Sequence, residues 1–111
     1  MLKHLGVEYE YKEYDLKITA EGGMDASEWF GVKQDMPLAF PNLPYFIDGD
    51  VKISENLAIM EYICMKWKPE LLGNTPEERG IVCMLAGVFD PLRSEVTRAS
   101  YMNKEREPIL E

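Results

Sequence analysis

The sequence predicts an α/β fold in two parts, a small α/β domain over residues 1–72 followed by a long helix within residues 73–111. Three patterns indicate this architecture: an alternating segment near the N-terminal end, an apolar run followed by an Asp-Gly turn, and two apolar stripes at helical spacing. With 111 residues and 46% hydrophobic content, the chain is long and apolar enough for about one small domain with its own core.

The first part of the chain predicts a strand, a loop and a short helix. Residues 7–11 alternate between apolar and acidic side chains, which is typical of a half-buried strand, and we predict that this strand continues to about Tyr14. Residues 19–24 are rich in glycine and predict a loop. Asp25 then begins a short helix, with Glu28 three residues further on as in a capping box.

A β-hairpin and a second helix are predicted over residues 44–67. The apolar run Tyr-Phe-Ile is followed by Asp-Gly, the commonest signal of a hairpin turn. Ser54 is positioned to cap the helix, and Pro69 ends it. Four residues of this helix are predicted to face a core, at spacings of three and four: Leu57, Met60, Cys64 and Trp67.

A third, longer helix is predicted after a linker at residues 69–74. Thr75 can cap this helix, Pro76 suits its first position, and Glu78 completes the capping box. One apolar stripe follows, at helical spacing: Ile81, Leu85, Val88, Leu92 and Val96.

Charge and composition exclude several classes of function. The chain has 20 acidic and 12 basic residues and a net charge of −8, without a basic block, which argues against binding to nucleic acid or to an anionic membrane. No apolar run approaches the roughly 20 residues of a membrane span, and no signal peptide is recognisable. Cys64 and Cys83 lack metal-ligand spacing and are predicted to be buried free thiols, so we expect no metal and a cytoplasmic location.

The region around Pro44 predicts a site for a small anionic peptide. An X-Pro bond can be cis at modest cost, and a cis Leu43–Pro44 bond would turn the Leu43 backbone outward. That backbone could then pair with an extended peptide, as the edge of a sheet does. The helix that starts near Ser54 would offer its first N–H groups to a carboxylate.

These residues carry a resemblance to a known family. The segment Phe-Pro-Asn-Leu-Pro-Tyr-Phe-Ile-Asp-Gly, followed by Ile-Ser-Glu-Asn-Leu-Ala-Ile, is similar to the glutathione-binding core of the cytosolic glutathione transferases, and the mu class most closely. The match is close from Trp29 to Trp67 and continues more loosely from Val7 to Asp90. The resemblance implies a thioredoxin-like N-terminal domain that lacks its first strand here, followed by the first long helix of the family's all-α domain.

The resemblance also implies a role for individual residues. Lys33 would pair with the glycyl carboxylate of glutathione, and Trp29 would donate its indole N–H. The Asn42 side chain and the Leu43 backbone would bind the peptide, with Pro44 as the cis residue. Two further residues stand where the family has Gln-Ser and would hold the γ-glutamyl end, namely Glu55 and Asn56.

The resemblance assigns no catalytic residue to this chain. In the family, a residue upstream of the matching segment, a tyrosine in the mu class, stabilises the glutathione thiolate, and further helices follow the matching segment. We therefore expect a chain truncated at both ends relative to the family. The resemblance implies conjugation of glutathione to a small electrophile by a homodimer without a cofactor.

Two other functions stay open at this point. One is a non-catalytic, transferase-like binding or scaffold module, which the Asn56 substitution and the missing first strand favour. The other is a truncated, inactive product. A thioredoxin-type redox enzyme is excluded because the sequence has no Cys-x-x-Cys.

Overall fold

The computed structural model describes residues 1–21 and 23–102 and confirms the α/β class, with three α-helices and two small antiparallel sheets in those ranges. The strands are β1 (Lys17–Ile18), β2 (Met24–Asp25), β3 (Tyr45–Asp48) and β4 (Val51–Ser54). The helices are α1 (Ser27–Val32), α2 (Asn56–Trp67) and α3 (Pro76–Met102), with single 3-10 turns at Lys33–Asp35 and Pro69–Leu72.

The chain divides into two compact units, one over Met1–Pro69 and a second that begins at Glu70. The first unit contains every strand of the described residues together with α1 and α2, and the second contains α3. The assignment of residues 1–72 to a binding domain and of residues 73–111 to a helical domain stays a prediction.

The β3–β4 hairpin has the register that the Asp-Gly signal predicts. Asp48 lies opposite Val51, so that Gly49 and Asp50 form a two-residue turn. Gly49 has a φ of 59°, the left-handed conformation that such turns require and that glycine adopts without cost.

Among the described residues of the predicted loop, residues 19–21 and Gly23 lie outside the strands, and only Met24 belongs to one, β2 of a short hairpin. Lys17 of β1 pairs with Asp25 of β2, and the Thr19 N–H donates to the Gly23 carbonyl at 2.9 Å. Asp25 accepts the Ser27 N–H at 2.9 Å, but α1 begins at Ser27 with Ala26 at its N-cap position and no side-chain capping bond, so the predicted capping box of Asp25 with Glu28 is wrong. This hydrogen bond is also the main reason why the pKa of Asp25 is lowered.

The predicted strand over residues 7–14 is wrong for the described structure. No backbone–backbone hydrogen bond links residues 8–16 to any other described residue. The Asp15 N–H donates to the Glu28 carboxylate at 2.8 Å, which ties this segment to α1 through a side chain. Alternation favours an extended backbone, but a strand also needs a neighbour at hydrogen-bonding distance, and the described residues provide none.

The core of the first unit is small. Its buried apolar side chains are Trp29, Leu38, Ile59, Ile63 and Cys64. The predicted core stripe of α2 is therefore wrong at Leu57 and Met60, which are 45% and 44% exposed. Because α2 is apolar around most of its circumference, spacing alone does not single out the buried face. Burial also raises the pKa of the Cys64 thiol.

A hydrogen bond and an ion pair connect the end of β3 to α2. The Tyr62 hydroxyl donates to Asp48 at 2.8 Å, and Lys66 forms an ion pair with the same carboxylate. The Lys66 ammonium, followed by the Tyr62 hydroxyl, holds the pKa of Asp48 below its usual value. The first unit thus secures its hairpin by side-chain bonds as well as by apolar packing.

The start of α3 confirms the predicted Thr75 cap, whereas the Glu78 carboxylate bonds to the N–H of Asn74 rather than to that of Thr75. The Glu78 N–H donates to Thr75 Oγ1 at 3.2 Å, and Glu78 Oε2 accepts the Asn74 N–H at 2.7 Å.

Cys83 is exposed on this helix, so the prediction that both cysteines are buried is wrong for Cys83. The predicted apolar stripe of α3 is also exposed in the described structure. Among the described residues, no helix combines the length and apolar character needed to cross a membrane.

Candidate binding site around the Leu43–Pro44 bond

The Leu43–Pro44 peptide bond is cis, as predicted. It lies directly before β3, and both Asn42 and Leu43 are exposed there. The loop that contains this bond is thus available to a ligand from solvent.

Two hydrogen bonds hold this loop against the junction of β4 and α2. The Asn42 side-chain amide donates to Glu55 Oε1 at 3.4 Å. The Ser54 hydroxyl donates to the Phe40 carbonyl at 2.6 Å. Glu55 occupies the N-cap position of α2 and the helix has no side-chain capping bond, so the predicted capping role of Ser54 is wrong.

Asn42, Glu55 and Asn56, three of the predicted site residues, therefore lie together at the N-terminal end of α2. Asn56 is the first residue of the helix and is half-buried. The first N–H groups of any helix have no acceptor one turn earlier, and the helix dipole adds a partial positive charge at this end. This end of α2 can therefore accept a carboxylate, while the Glu55 carboxylate can accept an ammonium group.

Glu55 has a strained backbone. Its φ is 74° and its ψ is 123°, and among the described residues it is the only residue other than glycine with a positive φ. Such conformations cost on the order of 1–3 kcal/mol for a residue with a Cβ atom. From this N-cap position, the Glu55 carboxylate accepts the Asn42 side-chain amide.

We expect Glu55→Gly to raise the free energy of unfolding by about 1 kcal/mol, because the relief of backbone strain exceeds the loss of the long, exposed hydrogen bond to Asn42. Urea unfolding followed by circular dichroism measures this change. Glu55→Gln is the matched control, since it keeps the strain and removes only the charge. A glycine variant less stable than the glutamine variant would contradict the assignment of strain to Glu55.

Trp29 lies in an aromatic cluster beside the loop. Its ring stacks on Tyr45 with centroids 6.3 Å apart and meets Tyr14 edge-on at 5.1 Å. With 6% exposure, Trp29 is mainly a core residue, and Tyr45 directly follows the cis Pro44. Among the described residues, every fully buried side-chain nitrogen or oxygen has a hydrogen-bond partner. The indole N–H of Trp29 is therefore either hydrogen-bonded or accessible to solvent.

The Tyr14 and Tyr45 hydroxyls form a hydrogen bond of 3.1 Å that links residues far apart in the chain. This bond, together with burial, raises the pKa of Tyr45 to about 12 from an ordinary value of 10.0. Folding favours the neutral hydroxyl of Tyr45, so this shift stabilises the folded chain fully at pH values below the ordinary tyrosine pKa. The stabilisation is lost as pH rises through the raised pKa of Tyr45.

We expect Tyr14→Phe to lower the pKa of Tyr45 toward its ordinary value, since the main cause of the shift is removed. NMR titration of tyrosines labelled at the ring carbon that bears the hydroxyl measures this pKa directly. Tyr9→Phe is the control, because Tyr9 is 51% exposed and lies outside the aromatic cluster. An unchanged Tyr45 pKa in Tyr14→Phe would contradict the role assigned to this bond.

Lys33 is half-buried and begins the 3-10 turn after α1. Its Nζ lies 5.8 Å from the centroid of the Phe30 ring, a cation–π arrangement. A ring does not neutralise a cation, so the ammonium group remains able to pair with a carboxylate.

Sequence reasoning assigned no role in the site to Tyr14 or Tyr45, and it assigned Ser54 a capping role in place of the loop contact that the structure shows. Tyr14, Tyr45 and Ser54 each make a hydrogen bond that positions the loop or the aromatic cluster. A signal was available for Tyr45, since it belongs to the Asn-Leu-Pro-Tyr motif. None was available for Tyr14, whose partner is 31 residues away.

No metal centre is formed by the residues that the structure describes, which contain no group of three or more His, Cys, Asp or Glu side chains able to hold an ion. The polar groups of the site are instead suited to an organic ligand with both carboxylate and ammonium groups.

Comparisons with known proteins agree with this geometry. The family profile "Glutathione S-transferase, N-terminal domain" matches residues 1–64. The chain is 40% identical over 109 residues to a "Glutathione S-transferase class-mu 26 kDa isozyme" of Schistosoma mansoni, covering 98% of this chain and 51% of that protein. A "Glutathione S-transferase class-mu 26 kDa isozyme 51" of Fasciola hepatica is 41% identical, with 96% and 45% covered.

A "Glutathione S-transferase" of Tyrophagus putrescentiae is 42% identical over 102 residues, covering 91% of this chain and 44% of that protein. The chain belongs to the glutathione S-transferase family. It spans about half the length of the curated relatives it matches.

Proposed function

We propose that this chain is the glutathione-binding portion of a glutathione transferase. The observation that carries the proposal is the contact between Asn42 and Glu55 beside the cis Leu43–Pro44 bond, at the N-terminal end of α2. The family membership of the chain supports glutathione as the ligand.

The polar groups of the site complement the charges of glutathione, which has two carboxylates and one ammonium group. The Glu55 carboxylate would accept the γ-glutamyl ammonium, and the Asn56 side chain and the helix end would bind the carboxylate beside it. Lys33 would pair with the glycyl carboxylate at the other end of the peptide. Between these ends, Asn42 and the Leu43 backbone would bind the central part.

Trp29 would serve both the fold and the ligand. Its ring packs on Tyr45, and its indole N–H would donate to the bound peptide. Trp29→Phe keeps an aromatic ring and removes the donor, so weaker binding by a folded Trp29→Phe variant would support this second role.

The reaction we infer is conjugation of glutathione to a small electrophile. The thiolate attacks an electrophilic carbon, a carbon–sulfur bond forms, and the leaving group departs with its electron pair. A free cysteine thiol, with a pKa near 8.5, is only a few per cent ionised at pH 7, so conjugation depends on a group that stabilises the thiolate. None of the residues assigned here has that role. We further infer a homodimer in the cytoplasm.

Calorimetric titration of glutathione into the purified chain at pH 7 tests the proposal. We expect a dissociation constant of roughly micromolar to low-millimolar size. No heat at millimolar glutathione, from a chain that circular dichroism shows to be folded, would contradict glutathione binding.

A separate assay of conjugate formation between glutathione and an aryl halide distinguishes an active transferase from a chain that binds glutathione without catalysis. Turnover above the rate without protein supports a transferase. Binding without turnover supports the alternative, a non-catalytic glutathione-binding module or an inactive product.

A further inference from the structure

Ser54 contacts both flanks of the segment at residues 41–44, which contains the cis bond and the loop residues predicted to bind glutathione. On one flank, the Ser54 hydroxyl donates to the Phe40 carbonyl at 2.6 Å. On the other flank, Ser54 lies opposite Tyr45 in the β3–β4 ladder. A single residue at the junction of β4 and α2 therefore holds the chain on both sides of the segment.

The backbone of this segment has few other restraints. Outside the helices and strands, no backbone–backbone hydrogen bond of the described structure involves residues 39–44. Pro41 and Pro44 have no N–H to donate. The Asn42 side chain donates to Glu55, but this bond is exposed and 3.4 Å long. The bond from Ser54 is shorter and acts directly on the main chain, so it restrains the path of the segment more strongly.

The Ser54 hydroxyl acts on the loop rather than on a ligand. A serine hydroxyl has a single hydrogen, and here that hydrogen is donated to Phe40, so it is not available to a ligand. Glu55 and Asn56 follow Ser54 directly in the chain. Ser54 thereby sets the position of the loop relative to the first turn of α2. A ligand that contacts both elements is bound well only if this position is fixed before the ligand arrives.

We propose that Ser54 is a positioning residue for glutathione binding, whose hydroxyl keeps residues 41–44 in the conformation that presents Asn42 and the Leu43 backbone to the peptide. This inference rests on the proposed function of the site. Without the bond, the segment samples other conformations, and the apparent affinity falls with the fraction of molecules that have a competent loop. A hydrogen bond between uncharged groups favours the bonded conformation by roughly three- to tenfold.

Threonine and valine at this position provide a matched test in the full chain. The two side chains have nearly the same shape and both suit a strand, but only threonine has a hydroxyl. In calorimetric titrations, Ser54→Thr should bind glutathione with nearly the affinity of the unchanged chain. Ser54→Val should bind roughly three- to tenfold more weakly. Equal affinities of the two variants would overturn the proposal.

A control variant and a stability measurement separate positioning from a general loss of fold. Ser94→Ala removes an exposed serine hydroxyl from α3 in the second unit and should leave the affinity unchanged. Thermal unfolding followed by circular dichroism gives the folded fraction of each variant at the temperature of the titration. A difference between the valine and threonine variants that disappears after correction for the folded fraction would overturn the proposal.

NMR relaxation without ligand distinguishes this inference from the proposed function. Heteronuclear NOE and relaxation dispersion report backbone motion on the picosecond-to-nanosecond and microsecond-to-millisecond timescales. The Asn42 and Leu43 amides should be more mobile in Ser54→Val than in Ser54→Thr, with no change along α2. Equal mobility in the two variants would overturn the proposal even if the unchanged chain binds glutathione. If the unchanged chain does not bind glutathione, the proposed function fails, whereas greater mobility in Ser54→Val still supports the role of Ser54 in holding the segment.

Discussion

Replacing Trp29 with alanine is expected to lower the stability of the first unit sharply. Trp29 is 6% exposed and contacts Tyr14 and Tyr45, in a core that has few other buried side chains. Truncation of a buried aromatic residue to alanine typically costs about 3–5 kcal/mol. Because a domain of this size is stable by only about 5–15 kcal/mol, this loss is a large part of the total.

Thermal unfolding followed by circular dichroism measures this effect, and the neighbouring residue provides the control. Phe30 is of similar size but is 63% exposed, so Phe30→Ala should change the midpoint temperature little. Equal losses in the two variants would contradict the core position of Trp29. A folded Trp29→Ala variant with an unchanged midpoint would contradict it as well.

Lys33→Ala is expected to weaken glutathione binding by roughly tenfold or more, since a hydrogen bond to a charged group is worth about 1.5–3 kcal/mol. The fold should be retained, because the described contact of the Lys33 ammonium is with the exposed ring of Phe30. Calorimetry of the variant beside the unchanged chain gives the ratio of dissociation constants.

Two further variants isolate the charge of Lys33. Lys33→Arg keeps the positive charge and should retain most of the affinity. Lys52→Ala removes an exposed lysine from β4 and should leave binding unchanged. Rising salt should weaken binding more in the unchanged chain than in Lys33→Ala, because the screened ion pair is already missing from the variant. Similar losses in Lys33→Ala and Lys52→Ala would contradict a specific role for Lys33.

The features that could be predicted from the sequence depend on short-range chemistry. The Asp-Gly turn fixes the β3–β4 hairpin, and Thr75 with Glu78 fixes the start of α3. The cis Leu43–Pro44 bond was predictable because proline alone makes this geometry accessible at modest cost.

The features that could not be predicted depend on partners distant in sequence. The alternation of residues 7–11 favours a strand, but pairing requires a neighbouring strand, which alternation does not provide. The buried face of α2 is set by what packs on it, so Ile59 and Ile63 are buried where spacing had selected Leu57 and Met60. At the site, Asn42 and Glu55 were predicted as ligand-binding residues. Their hydrogen bond to each other could not be predicted, because it depends on how the loop folds against the start of α2.

The central claim is that the loop before β3 and the first turn of α2 together bind glutathione. Amide proton–nitrogen correlation NMR of the labelled chain, titrated with glutathione, tests it most directly. We predict saturable shift changes that are largest at Leu43, Glu55 and Asn56 and at the Asn42 side-chain amide, with little change along α3. A well-dispersed spectrum that does not change at millimolar glutathione, or that changes mainly outside this loop and turn, would contradict the claim.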